Sequence, residues 1–375
     1  MHRYDFLVVG SGIAGSSIAS ELAATAKVLL IEREACHGYH TTGRSAAMFI
    51  ESYGNAWIRR LTGASRGFFD NPPDGFCSHA LLKRRGSLTI ATRDQISALE
   101  ALVADVKAMG SEVQQIDGEA ARALSPILRR DRVAQAVFEP NSCDIDTHGL
   151  HGGFLRLART RGADVRLNAG VEGIERRTAG WRISLAGGAP VEARVIVNAA
   201  GAWADVIAGM AGVRPMGLEP RRRTAVLIDP PVGLPIDGWP TVMDVDERFY
   251  FKPESGSLLA SPADETPSAP VDAAPEEIDI AECIDRIELA TTLCVTQVRR
   301  SWAGLRTFAP DRTPVFGYDP DVADFFWFAG QGGYGMQTAP GAARLGAALA
   351  LGQAIPPDLG EHGLGPAPFC PSRFR

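Results

Sequence analysis

The chain opens on alternating apolar runs and small residues. Phe6 to Val9 is an apolar run short enough for a buried strand, and Gly10-Ser11-Gly12-Ile13-Ala14-Gly15 follows it. An Ala-rich segment of helical character leads to a second apolar run, Val28 to Ile31, closed by Glu32. This order predicts strand, glycine turn, helix, strand. Residues 56–69 carry a helical pattern. Thr92 and Gln95 have the spacing of a capping box, and Ile96, Leu99, Leu102, Val103, Val106 and Met109 recur at helical spacing up to Gly110. A short helix is expected after Asp117, stopping near Pro126, and a longer one over 148–161. Short strands are expected at 165–167, 171–176 and 181–185, and 191–201 reads as an apolar strand running into a small-residue turn. Residues 216–260 read as strands with Pro-rich turns, 262–277 as an acidic surface loop, and 278–293 as an amphipathic helix. The last elements are a strand at 325–329, a glycine turn at 330–335 and an Ala-rich helix ending near Leu351.

The first unit has a chemical meaning. Gly10 permits a tight turn, Gly12 lets backbone approach a pyrophosphate, and Gly15 lets the helix pack closely on the strand. The helix N-terminus offers free N–H groups and a positive dipole end to phosphates. Glu32 lies 20 residues beyond Gly12, where a carboxylate can accept hydrogen bonds from a ribose diol. The unit is therefore read as a dinucleotide-binding motif. A carboxylate at that place disfavours a 2′-phosphate, so NADP is set aside while NAD and FAD stay open. The fold class expected is α/β with α+β elements: a discontinuous Rossmann-like domain interleaved with a mixed β-sheet domain. Residues 1–85, 145–215 and 305–375 are assigned to the first, and 86–144 and 216–304 to the second.

Composition narrows the partners. A net charge of −6, with no basic tract beyond Arg221-Arg222-Arg223, argues against nucleic acid. No apolar run is long enough to span a membrane. The first strand begins too early to leave room for a signal peptide. The 6 cysteines are scattered without a C-x-x-C pair, which argues against a zinc site or disulfide framework and makes a cytoplasmic location the expectation.

Separated motifs then resemble one family in order along the whole chain: Gly38 to Ala47, Arg66 to Cys77, Asp144 to His151, Val197 to Asp205, Gly212 to Arg223, Phe249 to Pro253, Ser301 to Arg306 and Gln331 to Thr338. The pattern is similar to the FAD-dependent D-amino-acid oxidase superfamily, which includes glycine and sarcosine oxidases, and within it most resembles bacterial D-arginine dehydrogenases. The resemblance implies FAD, held without a covalent link, since Thr307 to Gly317 contains no cysteine. It implies Gly10, Ser11, Gly12, Ala14 and Gly15 at the pyrophosphate, Glu32 on the ribose and Arg33 beside the adenosine. It places Thr42, Gly43, Arg44, Ser45 and Ala47 along the pyrophosphate, ribityl chain and ring. Val171, Ala200, Gly201 and Trp203 would line the same cavity. Gly332, Gly333, Tyr334, Gly335, Met336 and Gln337 would aim a helix N-terminus at the flavin, where a positive dipole end stabilises negative charge.

The same resemblance implies a carboxylate clamp of Arg222 and Arg306, because a guanidinium grips a carboxylate through two bonds. Tyr53 and Tyr250 would cover the substrate, and the Gly333 carbonyl would accept from its amine. No histidine base is needed, so His40 and His79 are left without a role. The implied reaction is hydride transfer from Cα of a D-amino acid to flavin N5, giving an imino acid and then a 2-oxo acid and ammonia. The electron acceptor (quinone, protein or oxygen) stays open. Two departures bear on specificity. Ser87 stands where an acid would meet a guanidinium, and Met48, with Ile50 nearby, stands where a histidine is common. With Met243 as further wall, neutral or apolar side chains are expected. A sarcosine- or glycine-type amine oxidase, or a 2-hydroxy-acid dehydrogenase, shares the same clamp. A flavin-binding electron-transfer subunit is the alternative of another class.

Overall fold

The computed structural model describes residues 3–108 and 112–375. An eight-stranded sheet carries the N-terminal unit. Its order runs Val171–Arg177, Gly180–Leu185, Val191–Asn198, Arg3–Val9, Val28–Ile31, Asp164–Arg166. Phe325–Ala329 runs parallel to the end of Val191–Asn198, and Val315–Tyr318 pairs antiparallel with Phe325–Ala329. Five strands (3–9, 28–31, 164–166, 191–198 and 325–329) are thus parallel, and a sheet of this kind needs both faces covered. Helices Ile13–Leu22, Thr147–Thr160 and Gly335–Leu351 cover one face through Ile18, Leu22, Leu155 and Leu345. Trp181, Ile207, Met216 and Trp327 fill the other.

A nine-stranded mixed sheet forms the second layer. Its order is Thr266–Pro267, Glu219–Ile228, Ser257–Ser261, Tyr250–Glu254, Thr241–Asp244, Ser87–Ala91, Gln135–Glu139, Gln114–Asp117, with Val298–Phe308 also paired to Glu219–Ile228. Helix Glu277–Ala290 closes one face through Cys283 and Ile287 against Val226, Ile228 and Phe251. Three short strands, Met48–Phe49, Cys143–Ile145 and Leu82–Arg84, form a third sheet.

Local chemistry explains the element ends. Asn55 caps helix Ala56–Asp70 by accepting from Trp57 and Ile58 N–H, each at 3.1 Å. Thr92 and Gln95 make the expected capping box ahead of helix Ile96–Ala108; Met109 and Gly110, expected to end it, lie outside the described residues. Asp117 and Asp146 cap helices Gly118–Leu124 and Thr147–Thr160. Helix Glu277–Ala290 stops short of residue 293 because Thr291 turns extended and bridges Leu128. The segment 262–277 departs from the surface loop expected. Asp264 has only 7% of its side chain exposed, and Glu265 is half-buried, because both face arginines of the second sheet. Among the described residues no helix is long and apolar enough to cross a membrane.

Candidate active site

The parallel strands end along one edge, and Val9, Ile31, Ala199 and Gln331, at or just beyond their C-terminal ends, line a cavity of about 330 Å³ between the two sheets. The glycines behave as their spacing requires. Gly10 adopts φ +96°, and a Cβ there would lie 2.7 Å from the Ala199 carbonyl. A Cβ at Gly15 would lie 1.7 Å from the Gly10 carbonyl, so this helix sits as close to the turn as backbone allows. A Cβ on Gly12 would meet only Thr42 Oγ1 at 3.1 Å, because Gly12 faces the cavity. The first amide of the helix, Ile13 N–H, donates to Thr42 Oγ1 at 3.0 Å.

Glu32 lines this cavity with both oxygens fixed. Ser11 donates to one oxygen from its backbone N–H and its hydroxyl, each at 2.9 Å, and Glu34 N–H donates to the other at 3.1 Å. Ser11 itself stands behind the acid, held by His37 and by His151, whose Nε2 meets the Ser11 carbonyl at 2.8 Å. Neither histidine was singled out from the sequence. Arg33 stacks on the Trp203 ring at 4.2 Å, and the His40 ring lies 4.7 Å from the same indole. Arg44 lines the cavity while donating to the carbonyls of Ala303 (3.0 Å) and Ala273 (2.8 Å) and pairing with Asp272. Of the expected cofactor residues, Ala14, Thr42, Ser45, Val171, Ala200, Gly201, Gly332, Gly333, Gly335 and Met336 also line the cavity. Ser11, Gly15, Gly43 and Tyr334 do not; Tyr334 is buried with its ring 4.9 Å from Tyr53.

The cavity continues into a smaller chamber of about 80 Å³ lined by Ala47, Met48, Ile50, Tyr53, Arg223, Thr241, Met243, Phe249, Tyr250, Arg306 and Gln337. Arg306, Arg223, Tyr250 and Gly333 face both spaces. Arg306 donates from Nη1 to the Tyr53 hydroxyl at 3.2 Å, and among the described residues no carboxylate lies within ion-pair distance of it. A Cβ on Gly333 would lie 2.8 Å from that same Nη1, so a side chain there would push the guanidinium from its place.

Two expected pocket residues are corrected by the structure. Arg222 lines neither space. Its Nε lies 2.9 Å from Asp279, it pairs with Glu276, and Asp264 is 4.0 Å away. The arginine beside Arg306 is Arg223, whose Nε donates to the Asp264 carbonyl at 2.8 Å and whose Nη2 meets Glu265 at 3.2 Å. Adjacent strand residues point to opposite faces, and Val226 and Ile228 fix the even positions on the core under helix Glu277–Ala290. Odd positions therefore face the cavity, as Ala225 does. That phase was present in the sequence and excludes Arg222; of the two odd arginines, Arg221 turns to Glu219 and the Glu265 carbonyl, and Arg223 lines the cavity. Ser87 is also turned away: it is fully buried and bonded to Ser142 at 2.9 Å and Glu139 at 3.4 Å. Glu247, which is solvent-exposed, is the one carboxylate lining the chamber among the described residues.

The electrostatics favour an anion. Burial and the neighbouring Arg306 charge hold the Arg223 guanidinium below its ordinary value. Burial alone would raise the Glu265 carboxyl, but Arg312, bonded through both oxygens, holds it below the usual range. Glu265 thus partly balances Arg223 and leaves Arg306 as a cation in want of a partner. Among the described residues no cluster suited to a metal ion is present.

Residues 5–349 match the family described as DAO: FAD dependent oxidoreductase, and the chain belongs to this family. Its fold is shared with glycine oxidase from Geobacillus kaustophilus, at TM-score 0.84 and 23% identity, covering 100% of this chain and 99% of that one. L-proline dehydrogenase from P.horikoshii gives TM-score 0.82 at 21% identity, covering 100% and 98%. L-2-hydroxyglutarate dehydrogenase of Escherichia coli (strain K12) is 24% identical over 56% of this chain, which spans 51% of that protein. Mitochondrial sarcosine dehydrogenase of Homo sapiens is 24% identical over 89% of this chain, which spans 38% of it. The cavity suits the FAD that the family binds. It runs from Glu32 past Gly12, where backbone is open to a phosphate, to the N-terminus of helix Gly335–Leu351, which has no acidic residue in its first turn.

Proposed function

We propose that the chain oxidises the Cα–N bond of small amino acids, D-amino acids with neutral or apolar side chains foremost. The observation that carries this reading is the pair Arg223 and Arg306 in a chamber joined to the cofactor cavity, with Arg306 lacking any carboxylate partner among the described residues. A buried cation without a counter-charge is costly, and a substrate carboxylate supplies one.

In this reading Gly10, Gly12 and Ala14 hold the pyrophosphate of a non-covalently bound FAD. Glu32 holds its ribose, with Arg33, Val171 and Trp203 around the adenosine. Residues Gly332 to Gln337 present backbone to the ring. FAD, when bound, supplies the acceptor for the hydride leaving Cα. The protein's own work is orientation. Arg306 and Arg223 grip the carboxylate, Tyr53 and Tyr250 close over it, and the Gly333 carbonyl takes a hydrogen bond from the amine. The substrate leaves as an imino acid, which water hydrolyses to a 2-oxo acid and ammonia. Met48, Ile50, Met243 and Phe249 give the chamber apolar walls, which supports neutral side chains.

The test is an anaerobic absorbance titration of the purified holoenzyme with D- and L-amino acids, sarcosine, glycine and 2-hydroxy acids. The expected result is bleaching of the flavin band by neutral D-amino acids, with ammonia released on turnover. Bleaching by 2-hydroxy acids alone, or by none of the panel, overturns it.

A further inference from the structure

We propose that Glu139 is a positioning residue for the substrate chamber: it pins the turn carrying Tyr53, through Ser52, and so sets the Tyr53 hydroxyl against Arg306. The inference rests on the carboxylate-binding role proposed for Arg306 and Tyr53.

Tyr53 sits in the turn at 50–55, between the two-residue strand Met48–Phe49 and helix Ala56–Asp70. A turn of this kind has no ladder to hold it; apart from the Tyr53 N–H donating to the Ile50 carbonyl at 3.3 Å, it is tied down through side chains. Three anchors do this. At its start, Ile50 N–H donates to Gln337 Oε1 at 3.3 Å. At its end, Asn55 caps the helix and donates from Nδ2 to Thr313 Oγ1 at 3.0 Å. Between them the Ser52 hydroxyl donates to Glu139 Oε1, one residue from Tyr53.

The third anchor differs in kind. Glu139 ends the strand Gln135–Glu139 of the nine-stranded sheet and is only 5% exposed. Among the described residues no lysine or arginine pairs with it. Its side-chain donors are the Ser52 hydroxyl and, more distantly, Ser87 at 3.4 Å. Burial pushes its carboxyl above the usual range, while hydrogen bonds from the Ser52 side chain and backbone pull the other way. A carboxylate buried without a cation destabilises a fold unless its hydrogen bonds are secured. What those bonds secure here is the turn. The chain of contacts then runs from Glu139 to Ser52, across one peptide to Tyr53, and from the Tyr53 hydroxyl to Arg306 Nη1 at 3.2 Å.

The test uses holoenzymes of Glu139→Ala, Glu139→Gln, Ser52→Ala, Tyr53→Phe and the Glu139→Ala/Tyr53→Phe double variant. Deuterium uptake is read over residues 48–58, propanoate binding by perturbation of the flavin spectrum, and KM with any substrate that bleaches the flavin. Glu139→Ala and Ser52→Ala are expected to raise uptake in the turn and to weaken propanoate binding and raise KM by about tenfold, as loss of a hydrogen bond to a charged group implies. Glu139→Gln keeps an acceptor for Ser52 and restores both readouts to within about threefold. In the Tyr53→Phe background, Glu139→Ala adds less than about twofold, because it acts through Tyr53. Unchanged uptake in both Glu139→Ala and Ser52→Ala overturns the proposal. So does an effect of Glu139→Ala that is undiminished in the Tyr53→Phe background. If the wild type binds no propanoate and no substrate bleaches it, the carboxylate reading of the chamber fails and the positioning role falls with it; the uptake data then still report whether Glu139 holds the turn.

Discussion

Arg222 and Arg223 are neighbours in one strand, yet their surroundings assign them opposite work. Arg223 lines the chamber and is partly balanced by Glu265. Arg222 is spent on three acids, and burial already pushes the Asp264 carboxyl up. Arg223→Met is expected to weaken the substrate's hold by about 2–5 kcal/mol, roughly 30- to 4,000-fold in the anaerobic titration, the cost of truncating one partner of a buried charge pair. Arg222→Met leaves Asp264 and Asp279 buried without their cation, so its effect belongs to stability, on the order of 3 kcal/mol in denaturant unfolding. Loss of substrate binding in Arg222→Met with binding intact in Arg223→Met would return the clamp to Arg222. The shift of one residue, from Arg222 to Arg223, has a physical source. Three identical side chains carry no phase, and the phase lies in Val226 and Ile228 further along.

Elements with strong local chemistry were legible in the sequence, and those held by tertiary partners were not. The glycine turn, the capping box at Thr92 and the strand Phe325–Ala329 came through because spacing alone dictates them. The segment 262–277 did not. Its acids and prolines suggest solvent, but it is a strap: Asp264 and Glu265 meet the arginines of the second sheet, and Asp272 and Ala273 meet Arg44, with Tyr39 also donating to Asp272 at 3.1 Å. Its acidity is complementary to cations that lie far away in sequence. The strap's pH response follows. The Arg44 bond holds the Asp272 carboxyl below its ordinary 3.8, and Arg312, against the pull of burial, holds Glu265 below 4.5. Both folded values are depressed, so their contribution is full above the ordinary carboxylate values and is lost as the pH falls through the folded ones. Flavin release followed by fluorescence is therefore expected to be slow from neutral pH down to about pH 5 and to quicken below about pH 4. Asp272→Asn is expected to release flavin faster at neutral pH and to respond less to acid. Wild-type release rates from Asp272→Asn across that range would show that the strap does not gate the cofactor cavity.

At the scale of the molecule, the cavity is lined by Val9, Gly10, residues 12 to 14, 199 to 203, 331 to 333, Gly335 and Met336 from one sheet and by Arg223, Ala225, Tyr250 and Gly304 from the other. A ligand bound there touches both layers, so its binding free energy is shared by both. Binding to the folded state alone stabilises by about 2.7 kcal/mol when free ligand stands at 100 times Kd. For a chain of 375 residues the unfolding entropy is roughly 0.8 kcal/mol/K, so the shift in Tm is about 3 °C. That shift is small, but its form is informative. Trp239 reports from the core of the second sheet, while Trp181 and Trp327 report from the first. Adding FAD to the apoprotein is expected to move all three signals together as one transition, which single-tryptophan variants followed by fluorescence during heating can resolve. A transition at Trp239 that stays in place while those at Trp181 and Trp327 move would mean that the second sheet unfolds on its own. The strap and the Tyr53 turn, which tie the layers through Asp272, Glu265 and Glu139, would then add little to their coupling.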